Sequence, residues 1–233
     1  MIGSNGALAC YTLPEQEARM IRNVLAFIFV WAVALSTQGH AQMLRCVEDS
    51  PERRGQPGCS VVVEKRLPAP LTQPVMWHID EFTSLAAAEK ASGSNGVAFQ
   101  AHGAAWLYTI ESDASNHHGG KHRAVVGPLP VQPNRPYAMQ VLSSYFLPGN
   151  VSIVHTHSGP EAWWVLEGEQ CLETTTKSIR ARAGEGAIVA SGETMRMVGI
   201  GAGPRRSLVL ILHDAEQPAS TVVQDPPALQ RCQ

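Results

Sequence analysis

Residues 149–168 read GNVSIVHTHSGPEAWWVLEG. His155 and His157 stand two apart in a run of β-formers, and the period of two along a strand puts both side chains on one face. Ser158, Gly159 and Pro160 form a turn signal, and Glu161 opens the next apolar run. A strand, a tight turn and a second strand would therefore bring two imidazoles and a carboxylate to one point. Those donors suit a divalent first-row metal and match in content the two-histidine, one-carboxylate set of non-haem iron sites. Gly149 and Gly168 bracket the hairpin.

Outward from this stretch the chain is strand after strand. Candidate strands cover 138–147, 152–157, 162–167, 170–175, 178–183, 187–190, 195–200 and 207–213, punctuated by Gly or Pro at 148–149, 159–160, 168, 184, 192 and 201–204. Short strands at even spacing with turn residues between them predict an all-β sandwich or barrel. The runs 187–190 and 207–213 are nearly continuous in apolar residues and read as buried strands.

The spacing Gly149, His155, His157, Glu161, Gly168 resembles, position by position, the first signature of the cupin superfamily. The second signature survives in part. Gly184 and Gly192 match, but Ala190 replaces the proline, Met195 the fourth-ligand histidine and Gly199 the asparagine. The resemblance covers about 137–213. It implies a double-stranded β-helix, the jelly-roll barrel, with one divalent transition metal (Cu, Fe, Mn, Ni or Zn) at its mouth on His155, His157 and Glu161. Met195 either adds a thioether ligand, which would favour copper, or packs in the barrel. Glu161 is the one candidate catalytic group, able to leave the metal and act as a base. Trp163, on the face of Glu161, Trp164, on the opposite face, and Met197, beside Met195, are candidate pocket residues. The resemblance implies dioxygenases, isomerases and decarboxylases acting on small molecules, and also non-catalytic binders. It further implies a homodimer.

The N-terminal half carries other signals. Residues 20–41 have a positive start at Arg22, an apolar run over 24–35, and small residues at 39 and 41. That is the pattern of a cleavable secretory signal, with Met20 as initiator and 1–19 as an early-assigned start. The expectation is a periplasmic or secreted protein with no membrane attachment after cleavage. Beyond residue 41 four cysteines remain, Cys46, Cys59, Cys171 and Cys232. An oxidising compartment would pair them, and four cysteines allow three pairings. Cys46–Cys59, across a short Pro/Gly/Arg loop, is favoured, leaving Cys171–Cys232 to tie the tail to the barrel.

The remaining expectations are organisational. Residues 42–60 are an N-terminal loop region, 61–214 one domain with its motif core at 137–213, and 215–233 a tail. Within them, 61–63 reads as a short strand, Pro68, Pro70 and Pro74 as an extended linker, 84–92 as the single helix, and 97–110 as strand broken near Gly103. The stretch 112–122, with His117, His118 and His122, reads as a solvated loop; His78 and His102 read as structural, and Glu167, Glu169 and Glu173 as solvated. Charged residues make up 16% and net charge is −2, with no basic run, which excludes the electrostatic footprint of a nucleic-acid binder.

Overall fold

The computed structural model describes residues 43–53, 55–68, 70–115 and 118–232. The expected signal and early-start segments, and His117, lie outside the described residues. In chain order the elements are β1 (Met43–Leu44), β2 (Cys46–Glu48), a 3-10 turn (Pro51–Arg53), β3 (Gly58–Arg66), β4 (Met76–Phe82), α1 (Leu85–Ala91), β5 (Gly96–Ala101), β6 (Ala104–Glu111) and β7 (Lys121–Val126). The second half follows as β8 (Tyr137–Phe146), β9 (Val151–Ser152), β10 (His155–His157), β11 (Glu161–Glu167), β12 (Glu169–Thr174), β13 (Ser178–Arg182), β14 (Gly186–Val189), β15 (Met195–Ile200), β16 (Arg205–Asp214) and β17 (Ser220–Val222).

From β8 onward the chain crosses back and forth between two sheets. One has the order β14-β11-β16-β8-β3-β2. The other runs β1-β9-β15-β10-β17, with β12 and β13 joined to it through β15. That alternation is the double-stranded β-helix, an all-β jelly-roll barrel. The inner faces of both sheets close over Leu142, Trp163, Leu172, Met195, Met197, Val209 and Ile211.

A third sheet, in the order β5-β6-β4-β7, packs on the outer face of the first. Trp77, Ile79, Phe99 and Tyr108 from this outer sheet meet Met139, Val141, Trp164, Leu208, Leu210 and Leu212. Strand β16 is thus covered on both faces, which explains its unbroken apolar run: every residue from Ser207 to Asp214 is buried. Helix α1 starts at its cap Ser84, whose hydroxyl accepts from the Ala87 amide, and buries Ala88 against the outer sheet. The hairpin from β5 to β6 turns at His102–Gly103, both in the left-handed region.

Several expectations need correction. Strand β7 begins at Lys121, so the last two residues of the expected 112–122 loop are strand, paired with β4. The short strand at 61–63 is the middle of the nine-residue β3, which carries a bulge at Val62. Strand β14 lies at a sheet edge, with Ala187 and Val189 buried in the barrel and Ile188 half-buried on the other face, so the apolar run 187–190 is only partly covered. Glu173 is buried and paired with Arg196 at 2.7 Å, not solvated. Residues 215–233 are more than a tail, because β17 is a strand of the barrel.

Candidate metal centre

Strand β10 is a short central rung. His155 is the cross-strand partner of Met195 on one side, and His155, Thr156 and His157 pair with Val222, Thr221 and Ser220 on the other. The turn after it is fixed by Gly159, where a Cβ would collide with the Leu212 carbonyl, and by the Leu212 amide donating to the Pro160 carbonyl at 2.9 Å. Glu161 then enters β11 opposite Ile211 and Val189. The hairpin closes at Gly168, whose φ is +75° and whose Cβ position is filled by the backbone of Pro204.

His155, His157 and Glu161 each present one donor atom, and all three atoms lie within 4.8 Å of one another. His157 and Glu161 are buried, and the two imidazole rings stand edge-on with centroids 4.7 Å apart. His157 Nε2 and Glu161 Oε2 approach to 3.1 Å, yet neither makes a hydrogen bond. First-row metals take such ligands at about 2.0–2.2 Å, so two donors at right angles about one ion sit about 3 Å apart. Two buried atoms that are near each other but aimed past each other fit a shared ion better than a direct bond.

The opposite edges of the rings are already committed. His155 Nδ1 donates to the Ile153 carbonyl at 2.8 Å, and His157 Nδ1 donates to the Ala219 carbonyl at 2.8 Å, with Ser220 Oγ 3.0 Å away. Tautomers are inferred from such contacts, and carbonyls accept only, so the protons belong on Nδ1 and the Nε2 lone pairs are free. Burial and the neighbouring His157 push the His155 pKa down, against the pull of Glu161. For His157, burial lowers the pKa but the Glu161 carboxylate more than offsets it, and the net shift is upward.

Other candidate residues divide by face. Trp163 is fully buried inside the barrel on the face of Glu161. Trp164 faces the outer sheet, edge-on to Trp106 at 6.4 Å, so it belongs to the packing between sheets and not to the barrel interior. Met195 and Met197 both point inward, and Met195 stands directly across from His155. Cys46 is bonded to Cys59 and Cys171 to Cys232. The second disulfide, the Cys232 amide donating to Glu173 Oε1 at 3.1 Å and the Gln230 amide donating to the Thr174 carbonyl at 2.8 Å fasten the end of the chain to β12.

The sequence reading missed β17 and Arg205. Strand β17 supplies the carbonyl that orients His157; its signal was the β-branched run Thr221-Val222-Val223 within a polar tail. Arg205 opens β16 and is wholly buried in the barrel. A charged residue beside a turn ordinarily faces water, and nothing in the local pattern says otherwise.

With two sheets exchanging strands, and both imidazoles and the carboxylate turned into the space between them, the topology is decided. The chain has the cupin fold. No protein-family model matches it, and no curated protein is similar to it in sequence. Similar solved structures include an oxalate oxidase in complex with the substrate analogue glycolate (20% identity over 36% of this chain and 46% of that chain, TM-score 0.32). Another is a cupin-superfamily protein of Desulfitobacterium hafniense (19% identity, 37% and 74% of the two chains, TM-score 0.31). A third is a double-stranded β-helix protein of Klebsiella pneumoniae (17% identity, 42% and 82%, TM-score 0.33). The match spans about half the length of the oxalate oxidases and little more than a third of this chain.

Proposed function

We propose that this cupin holds one divalent transition metal on His155, His157 and Glu161 and is an oxidoreductase of the dioxygenase type acting on a small organic molecule. The observation that carries the proposal is the freed Nε2 of His157 facing an equally unbonded Glu161 oxygen, with both ring Nδ1 atoms already satisfied by carbonyls. When bound, the metal would supply a Lewis acid and a redox centre with positions open to oxygen and substrate. The protein's own part is to aim both imidazoles through their carbonyl partners, and to exclude water with Trp163, Met195 and Met197. Glu161 can also take a proton at the carboxylate oxygen that faces His157.

Few protein donors and a soft methionine neighbour favour redox chemistry over simple hydration. A non-catalytic binder is the second reading, favoured by the loss of the second-signature histidine at Met195. Oxygen uptake by the metal-loaded protein, tested against phenols, flavonols and diketones, separates the two. The enzyme reading expects uptake that disappears in Glu161→Ala. Thermal protection by a compound without oxygen uptake would overturn it in favour of the binder. We also place the protein in the periplasm or outside the cell, a reading supported by its two disulfides.

A further inference from the structure

At the barrel end away from the turn at Gly159, the inner face becomes polar. Arg205 pairs across β8 with Phe146, and Ser207 with Ser144. On the other sheet Gln170 pairs with Gly199, whose missing side chain makes room for the Leu147 carbonyl and, less tightly, for Phe146. All four polar side chains are essentially inaccessible to solvent. Gln170 has no partner at either its amide nitrogen or its oxygen, and Ser144 Oγ, Arg205 Nε and Trp163 Nε1 have none either. Buried polar atoms ordinarily find partners, so this many orphans facing one interior point to a missing guest.

The guanidinium has no carboxylate within ion-pair distance among the described residues. It donates to Ser207 Oγ and to Met197 Sδ, and lies over the Phe146 ring at 4.6 Å. Burial draws its pKa down to about 9, still charged at neutral pH, and the one acid that acts on it is Glu161. With a divalent ion on the metal ligands, Glu161 would offset only one of three positive charges in the barrel interior. A buried cation left unpaired is strongly unfavourable, and the deficit asks for an anion between the two ends.

We propose that Arg205, with Gln170 and Ser144, anchors a carboxylate group of the substrate, so that the barrel takes a small organic acid with its carboxylate on Arg205 and its reacting end toward the metal ligands. The planar guanidinium fork matches a planar carboxylate. Leu142 and Leu172 make the neighbouring inner surface apolar. This inference rests on the metal-site reading above and names its substrate class.

The probe is malonate, with malonamide as its uncharged counterpart and inorganic phosphate as a second anion. Binding is read by calorimetry and melting temperature on the metal-loaded protein. Malonate is expected to bind and raise the melting temperature, and malonamide to do neither. Arg205→Met, which keeps the apolar stem, is expected to weaken malonate binding at least about 50-fold while metal content stays unchanged. Gln170→Leu, a milder change in the same place, is expected to weaken it several-fold. Equal malonate affinity in Arg205→Met and the parent would overturn the anchor, and so would tighter binding of phosphate than of malonate. Should Arg205→Met not fold, unchanged affinity in Gln170→Leu would overturn it instead. Failure of the parent to hold metal would sink the earlier reading separately, because elemental analysis reports on it without malonate.

Discussion

His155 and His157 in the barrel, and His78, His118 and His122 on the outer sheet and its loop, are two concentrations of imidazole with different arrangements. On the outer sheet two of the rings have a carboxylate each: His118 Nε2 lies 3.3 Å from Glu111 Oε1, and His122 Nδ1 lies 3.1 Å from Asp80 Oδ1. The third, His78, is fully buried and packs edge-on to His118, with ring centroids 5.9 Å apart, and tilted to His122 at 6.3 Å. In the barrel the rings bond to carbonyls and share one carboxylate, and the three donors fall within 4.8 Å. Among the described residues no second group converges so closely. A cluster of histidines becomes a metal site when the backbone takes one nitrogen of each ring and so aims the other. Where carboxylates take the rings one by one, the same residue types make separate histidine–carboxylate contacts.

The largest effect follows directly. Glu161→Ala and His157→Ala should each lose the metal by more than the ~10–100-fold that loss of an outer partner costs. Asp80→Asn and His118→Ala should leave metal content unchanged. Elemental analysis of the four proteins, purified without added metal, checks both halves. Metal loss in the outer-sheet variants would erase the distinction drawn between the clusters.

The orienting carbonyl of Ala219 belongs to a segment held by the Cys171–Cys232 disulfide. Replacing both cysteines by serine should cost about 2–5 kcal/mol of stability. It should also weaken metal binding by up to ~10–100-fold, as loss of an outer-shell partner does. Denaturant melts of the metal-free form and a competitive chelator titration separate the two effects. Unaltered metal affinity would mean that β17 covers the site without aiming His157.

A third contrast uses the adjacent tryptophans, both buried but on opposite faces of β11. Either change to alanine should cost roughly 3–5 kcal/mol through the cavity it leaves. Only Trp163→Ala should also raise the water exposure of the metal site, read as a changed spectrum of a bound cobalt probe. An equal spectral change in Trp164→Ala would show that the probe reports general loosening.

The hairpin that carries His155, His157 and Glu161 was legible because period two, a turn that admits only glycine and a β-former run all act within twenty residues. Both disulfides were legible as favoured pairs for a similar reason: the cysteine count left few choices. Strand β4 was not, since Met76–Phe82 mixes His78, Asp80 and Glu81 into its apolar positions. His78 packs against His118 and His122, and Asp80 contacts His122, which are contacts that local pattern does not encode. Arg205 was illegible for the same reason. Its surroundings are built by Phe146, Ser207 and Met197, and two of these come from other strands.

The smallest expected effect concerns acid. Burial pulls the pKa of His78 below its ordinary 6.5, against the backbone at Asp113 and the charges of Glu111 and Asp80. Burial does the same to His102, whose ring contacts the Ser207 carbonyl at 3.2 Å and Ser143 Oγ at 3.3 Å. A base with a lowered folded pKa binds fewer protons folded than unfolded between the two values. Stability therefore falls as pH drops below about 6.5 and flattens once the folded groups also titrate. The carboxylates Asp113 and Asp214, whose pKa values are also lowered, act only below about pH 4 and stay out of this window. His102 has φ +51°, which asparagine tolerates, so His102→Asn removes the titration without forcing the turn. At equal metal loading the parent should lose melting temperature from pH 7 to pH 5.5, and His102→Asn should lose less. An identical slope in the two proteins would show that this imidazole is not held neutral by its surroundings, and would leave the acid sensitivity to His78.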